Sequence, residues 1–161
     1  MSRRACARSS SAARACSVAA SAQLLDESVA HLYAQALVAV ARADGEIGLE
    51  EGSCLQEKIE RRSGKPANLD DLLLAEPLDP ASLAEALRAS SGPFRGGGGL
   101  HPGELATMIV TDAISVVLAK GHVSEEEAQQ IVRYATALGC TLDEVRAMSP
   151  QLAPWFASHL R

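Results

Sequence analysis

The sequence predicts an all-α protein, and three observations carry that expectation. Apolar residues recur at helical spacing from Leu24 onward. Ala and Leu dominate while aromatic residues make up only 3% of the 161 residues, a composition that suits close-packed helices better than a sheet. Helix-start and helix-stop signals bracket the periodic stretches. The length suits one domain, or two small related lobes sharing one core.

The first helix carries Leu25, Val29, Leu32, Ala36, Leu37 and Val40 on one stripe and ends near Asp44-Gly45. The second has Leu55, Ile59 and Arg62 on one side and Gly64 as its stop. Asn68 and Asp71 bracket the first turn of a short helix over Leu69–Ala75. Asp79-Pro80 sets a capping side chain before a proline at the first helical position, opening a helix that runs to about Ser90. Residues 91–101 belong to a Gly-rich connection that no Gly-Lys-Ser/Thr follows, so it reads as a joint between halves and not a phosphate loop. After Pro102, a stripe of Leu105, Met108, Ile109, Ala113, Val116 and Val117 ends at Lys120-Gly121. Ser124 with Glu127, and Thr141 with Glu144, form capping boxes for two further helices, the first closed by Gly139 and the second running through Met148. Trp155 and Phe156 read as a hydrophobic lid.

About seven helices therefore fall into two halves, 24–90 and 102–148, within a helical domain spanning 23–161. The halves align at an offset of 76. Asp44-Gly45-Glu46-Ile47 falls on Lys120-Gly121-His122-Val123, Glu50-Glu51 on Glu126-Glu127, and Leu55 on Ile131. That pattern predicts an internal duplication, with the halves packed face to face.

The net charge is −5, unevenly placed. Residues 1–25 hold four arginines and no acid, which leaves the remainder at −9. An acidic body excludes nucleic acid as the main partner and suits cations or a basic protein. No apolar run is long enough for a membrane span, which leaves peripheral association as the one membrane role. Residues 1–22, rich in Ser, Ala and Arg, have the composition of a disordered tail or of an organelle transit segment. The expected location is cytoplasmic, or plastid or mitochondrion under the transit reading. Cys6, Cys16, Cys54 and Cys140 form no C-x-x-C and read as free thiols, with a Cys54–Cys140 bridge as the alternative.

Chemistry concentrates at Ala41-Arg42-Ala43-Asp44-Gly45-Glu46-Ile47-Gly48-Leu49-Glu50-Glu51. Asp44 and Glu46 flank a glycine that permits a tight turn, and Glu50 and Glu51 begin the next helix. Carboxylates converging at such a corner are what calcium or magnesium requires. The same four acids also suit a solvated turn with negative charge at a helix start. An EF-hand is excluded: with Gly45 at loop position six and Glu51 at position twelve, positions one and three become Val40 and Arg42. Asp112 interrupts the apolar stripe of the second half. A carboxylate there must be paired, protonated or metal-bound, and it would join Asp44 if the halves pack antiparallel. Its other reading is a stripe-edge Asp that reaches solvent or bonds a neighbouring helix end.

A helix ending in Ala-Asp-Gly-x-Ile, with an acid a few positions later opening another helix, resembles the TerB-like family, named for tellurite resistance. The resemblance covers roughly residues 24–148. It implies an all-helical pseudo-repeat, a carboxylate-rich surface suggested to bind divalent metal, and stress-response or membrane-linked complexes, with no settled reaction. Asp44, Glu46 and Glu51 match the first-half motif, with Glu50 adjacent. The second half departs from it: Lys120 and His122 stand where acids are expected, and a lysine repels cations.

No nucleophile elbow, His-Glu-x-x-His, Walker loop or dinucleotide motif occurs. The expectation is a non-catalytic module with no catalytic residue. It binds a divalent cation through Asp44, Glu46, Glu50, Glu51 and Asp112 and docks partner proteins. The alternative is a metal-independent helical interaction or scaffold protein.

Overall fold

The computed structural model describes residues 24–89 and 102–152. Seven α-helices and one short 3-10 turn account for the regular structure among them, with no strand. In chain order these are α1 (Glu27–Ala41), α2 (Leu49–Ser63), α3 (Leu69–Leu74), α4 (Pro80–Ala89), α5 (Pro102–Leu118), α6 (Glu125–Ala137) and α7 (Leu142–Met148), then the 3-10 turn Pro150–Leu152. The expected tail at 1–22, the Gly-rich connection at 91–101 and the Trp155-Phe156 lid lie outside the described residues.

α1 is the central helix of this bundle. Ten of its fifteen residues are buried, including every residue from Ala36 to Ala41. The stripe legible in sequence is thus one part of a helix enclosed nearly all round, as expected of a helix in a protein interior. It packs against α2, α3, α4, α5 and α6. α5 lies along it and in turn touches α2, α6 and α7. Leu37, Val40, Leu55, Ile109, Val116, Val117, Ile131 and Ala135 form the core between them. Small residues on α1 (Ala30, Ala34, Ala36, Ala39, Ala41) let the neighbouring backbones come close.

Local signals place the helix ends. α2 stops at Gly64, whose φ of 70° is the left-handed conformation that glycine adopts without strain. The N–H of Ser82 donates to the Asp79 carboxylate at the start of α4. Both capping boxes form: Ser124 Oγ accepts from the Glu127 N–H, and Thr141 Oγ1 from the Glu144 N–H.

Two corners of the bundle share their local geometry. After α1, the N–H groups of Ala43 and Gly45 donate to the carbonyls of Val40 and Arg42. After α5, the N–H groups of Ala119 and Gly121 donate to Val116 and Leu118. Gly45 and Gly121 adopt φ values of 99° and 94°. A side chain would be strained at either, so both glycines are required for these turns.

A lysine-filled acidic corner and a second buried carboxylate

The two corners meet, because α1 packs on α5 and each helix is followed closely by the next, α2 or α6. Glu51 is the third residue of α2 and Glu127 the third of α6. Each turns one carboxylate oxygen back to its own helix start. Glu51 Oε2 accepts from the Gly48 N–H at 3.0 Å, and Glu127 Oε2 from the Ser124 N–H at 2.9 Å. The capping geometry therefore orients both side chains and leaves the second oxygen of each facing inward. Both residues are buried, at 2% and 0% exposure.

Between them sits Lys120. Its Nζ lies 2.6 Å from Glu127 Oε1, 3.0 Å from Asp44 Oδ2 and 3.4 Å from Glu51 Oε1. The lysine thus reaches across to the acids of the other corner. Asp44 is held on its second oxygen by the Glu46 N–H, at 3.3 Å. Burial alone would disfavour the ammonium. Its hydrogen bonds to Glu127 and Asp44, with the charges of Glu127 and Glu51, outweigh burial and hold its pKa above the ordinary value. Burial pushes Asp44 up, but the Lys120 hydrogen bond and charge and the Glu46 N–H bring it below the usual carboxylate range. Glu51 goes the other way. Burial raises it, the neighbouring Glu127 adds to the rise, and the Gly48 N–H and Lys120 only partly offset it.

The expected ligand set is therefore only partly assembled. Asp44 and Glu51 converge, while Glu46 and Glu50 are exposed. Asp112 does not join them. It is buried at 4% exposure in a separate cluster, where Oδ2 accepts from Tyr33 Oη at 2.7 Å and from Arg62 Nε at 3.2 Å, and Lys58 Nζ lies 3.5 Å from Oδ1. Asp112 precedes Lys120 by eight residues, about 12 Å along a helix, so one ion cannot bridge the two sites. It pairs with side chains of α1 and α2, neither reaching solvent nor bonding a helix end. Burial, together with the charge and hydrogen bond of Asp112, pushes the Tyr33 hydroxyl well above its ordinary pKa, against the opposing charge of Arg62.

Three residues of these sites carry no clear mark in the sequence: Glu127 reads as a helix-start acid aligned with Glu51, Lys120 as a residue that repels cations, and Tyr33 as one more apolar-face residue of its helix. The offset of 76 held the signal for the first two, since it pairs Asp44 with a residue of opposite charge and Glu51 with a second acid. Nothing local to Tyr33 marks a partner 79 residues away.

The residues present do not fit a resident metal ion at the corner, because the Lys120 ammonium occupies the centre of the acids. Among the described residues, no group of three or more His, Cys, Asp or Glu side chains stands close enough to hold one. The thiols are not poised for chemistry either. Cys54 and Cys140 are free and half-buried; burial raises the first, and burial with the Glu144 charge pushes the second up to about 11. No helix among the described residues is long and apolar enough to cross a membrane. Comparison with protein-family models, curated proteins and solved structures found no match.

Proposed function

We propose that this chain is a non-catalytic helical interaction module, TerB-like in layout, whose acidic corner works without a resident divalent metal. The observation that carries the reading is the seat of Lys120, within 2.6–3.4 Å of Asp44, Glu51 and Glu127. A half-buried ammonium with these partners supplies the positive charge that the corner's carboxylates require. The state of the other titratable groups favours binding over catalysis. Lys120 is held as the cation, which removes it as a nucleophile, and both described thiols are held as thiols. Leu49 and Leu74, 88% and 85% exposed, offer apolar contacts for a protein partner. A stress- or tellurite-resistance-type role, in the cytoplasm or an organelle, accompanies the family resemblance.

Titration calorimetry of the full chain with calcium and with magnesium tests the metal-independent part. The expected result is no difference in heat between the native chain and the Asp44→Ala/Glu51→Ala variant. A binding isotherm lost in that variant would reverse the reading in favour of divalent metal as the working ligand. That second reading has its own support, since the corner sets three carboxylates against one base. Recovery of one protein partner, equally with and without chelator, is the outcome expected for an interaction module.

A further inference from the structure

We infer that the hollow between the end of α1 and one face of α6 is a docking site for an acidic peptide segment of a protein partner, held by Arg42 and Arg133. The inference deepens the reading of this chain as an interaction module and rests on it, by naming the chemistry of the partner.

The first observation is an imbalance of pairing. The chain has more acids than bases, 20 against 15. Lys58, Arg61, Arg62, Lys65, Lys120 and Arg146 each lie within 3.7 Å of a carboxylate oxygen. Among the described residues, Arg42 and Arg133 lie in no ion pair, and both line the same hollow. Two guanidiniums left without a carboxylate in an acid-rich molecule are a natural seat for an acidic group from outside.

The build of the hollow supports this. It encloses about 450 Å³, within the usual range for a ligand site. Glu126, Gln129 and Arg133 follow one another at spacings of three and four on α6, so they share a face. Ala39 and Ala43 line the opposite side, and their short side chains leave the space. Arg42 is already held in direction, because its Nη1 donates to the Leu73 carbonyl at 2.9 Å. Less side-chain freedom is then lost on binding, and its other N–H groups are left for a ligand.

Acceptors beside these donors select the ligand. Gln129 Nε2 donates to Glu125 at 3.2 Å, which leaves its amide oxygen to accept. Glu126 lies in no ion pair among the described residues. Gln35, whose Oε1 is buried with no hydrogen-bond partner, lines a recess of about 10 Å³ that shares Ala39, Arg42 and Pro77 with the hollow. That recess has the size of one water-sized group, and a buried acceptor without a donor is costly. A phosphate group brings almost only acceptors, and its negative charge is opposed by Glu126. A peptide with Asp or Glu side chains brings carboxylates to the two guanidiniums and backbone N–H groups to the acceptors.

Titration calorimetry of the full chain with an acetylated, amidated peptide of alternating Glu and Gly tests this. The native chain is expected to bind it and not to bind the same peptide with Gln in place of Glu. Arg133→Gln, at an exposed position, should weaken binding about tenfold, and so should Arg42→Gln. Arg146→Gln, on an exposed arginine of α7, should leave it unchanged. No heat from the native chain, or equal affinity in Arg133→Gln, overturns the site. Inorganic phosphate that displaces the peptide at equal concentration overturns a peptide as the ligand class. A native chain that binds no Glu peptide but still recovers a protein partner with and without chelator loses this site and keeps the module reading. Peptide binding at Arg133 with no partner recovered keeps the site and overturns the module reading, so the two failures are separate.

Discussion

The molecule solves the problem of buried charge twice, with opposite signs. At the corner, one base (Lys120) lies among three acids (Asp44, Glu51, Glu127). Further back along α5, one acid (Asp112) lies among two bases, Lys58 and Arg62, and a phenol, Tyr33. The Asp112 cluster is the better satisfied of the two. Three donors serve its two oxygens, and the excess positive charge sits on side chains 22% and 24% exposed, where water can reach them. In the corner the excess is negative, and two of the three acids that share it, Glu51 and Glu127, are closed to water. Identical chemistry thus produces a firm cross-link in one place and a strained balance in the other, according to where the surplus charge is left.

The largest expected effect breaks the corner. Lys120→Met should cost about 3–5 kcal/mol at neutral pH, the usual range for removing one partner of a buried pair. Urea unfolding at several pH values gives the sign. The burial and like charge that already raise Glu51 lose the opposing charge of the lysine, so acidification, by protonating the carboxylates, should shrink the loss. A loss that grew on acidification between neutral pH and mildly acid conditions would contradict this account.

Next in size is Asp112→Ala. It leaves the Tyr33 hydroxyl, on a residue with 0% exposure, without its acceptor, and frees Lys58 and Arg62 to turn toward water. The expected cost is about 2–4 kcal/mol by equilibrium unfolding, with no response to calcium. A calcium response that distinguished this variant from the native chain would mean that the two clusters are not independent.

The smallest effect sharpens the contrast, because its sign is unusual. Glu51→Gln keeps an oxygen for the Gly48 N–H and removes one surplus negative charge, so it should be neutral or stabilising by up to about 1 kcal/mol at neutral pH. The folded pKa of Glu51 lies above its unfolded value. Its contribution is therefore full below the unfolded pKa and is lost as pH rises through the folded one. The glutamine has no such loss, so the advantage of the variant should grow with pH across that window. Melting temperatures of the two proteins over a pH series measure it, and a variant less stable at high pH would show that the ionised carboxylate is required.

Features set by neighbouring residues are legible in the sequence. The stops at Gly64 and Gly139, the Asp79-Pro80 start and both Ser/Thr-Glu boxes depend on residues within a few positions of one another, and each appears where the pattern put it. The acidic corner was legible in half. Asp44 and Glu51 do converge, but Glu46 and Glu50, although adjacent in sequence, are exposed, because a turn and a helix start point successive side chains in different directions. Asp112 stands out in the sequence as a carboxylate needing a partner, but the expected companion, Asp44, is not the one that packing supplies. Its true partners lie 79, 54 and 50 residues away on two other helices.

By itself the sequence determined the all-helical class, the ends of most helices and the presence of two glycine corners with acids behind them. Backbone capping, glycine's access to positive φ and apolar periodicity act over a few residues, so these features need no knowledge of the rest of the chain. Only tertiary packing decided that Lys120 faces Asp44, Glu51 and Glu127 and that Asp112 faces Tyr33, Lys58 and Arg62. Packing α1 along α5 brings side chains far apart in sequence within a few ångströms of each other. At that range, out of water, the charge of one side chain decides whether a group of carboxylates is offset or left repelling.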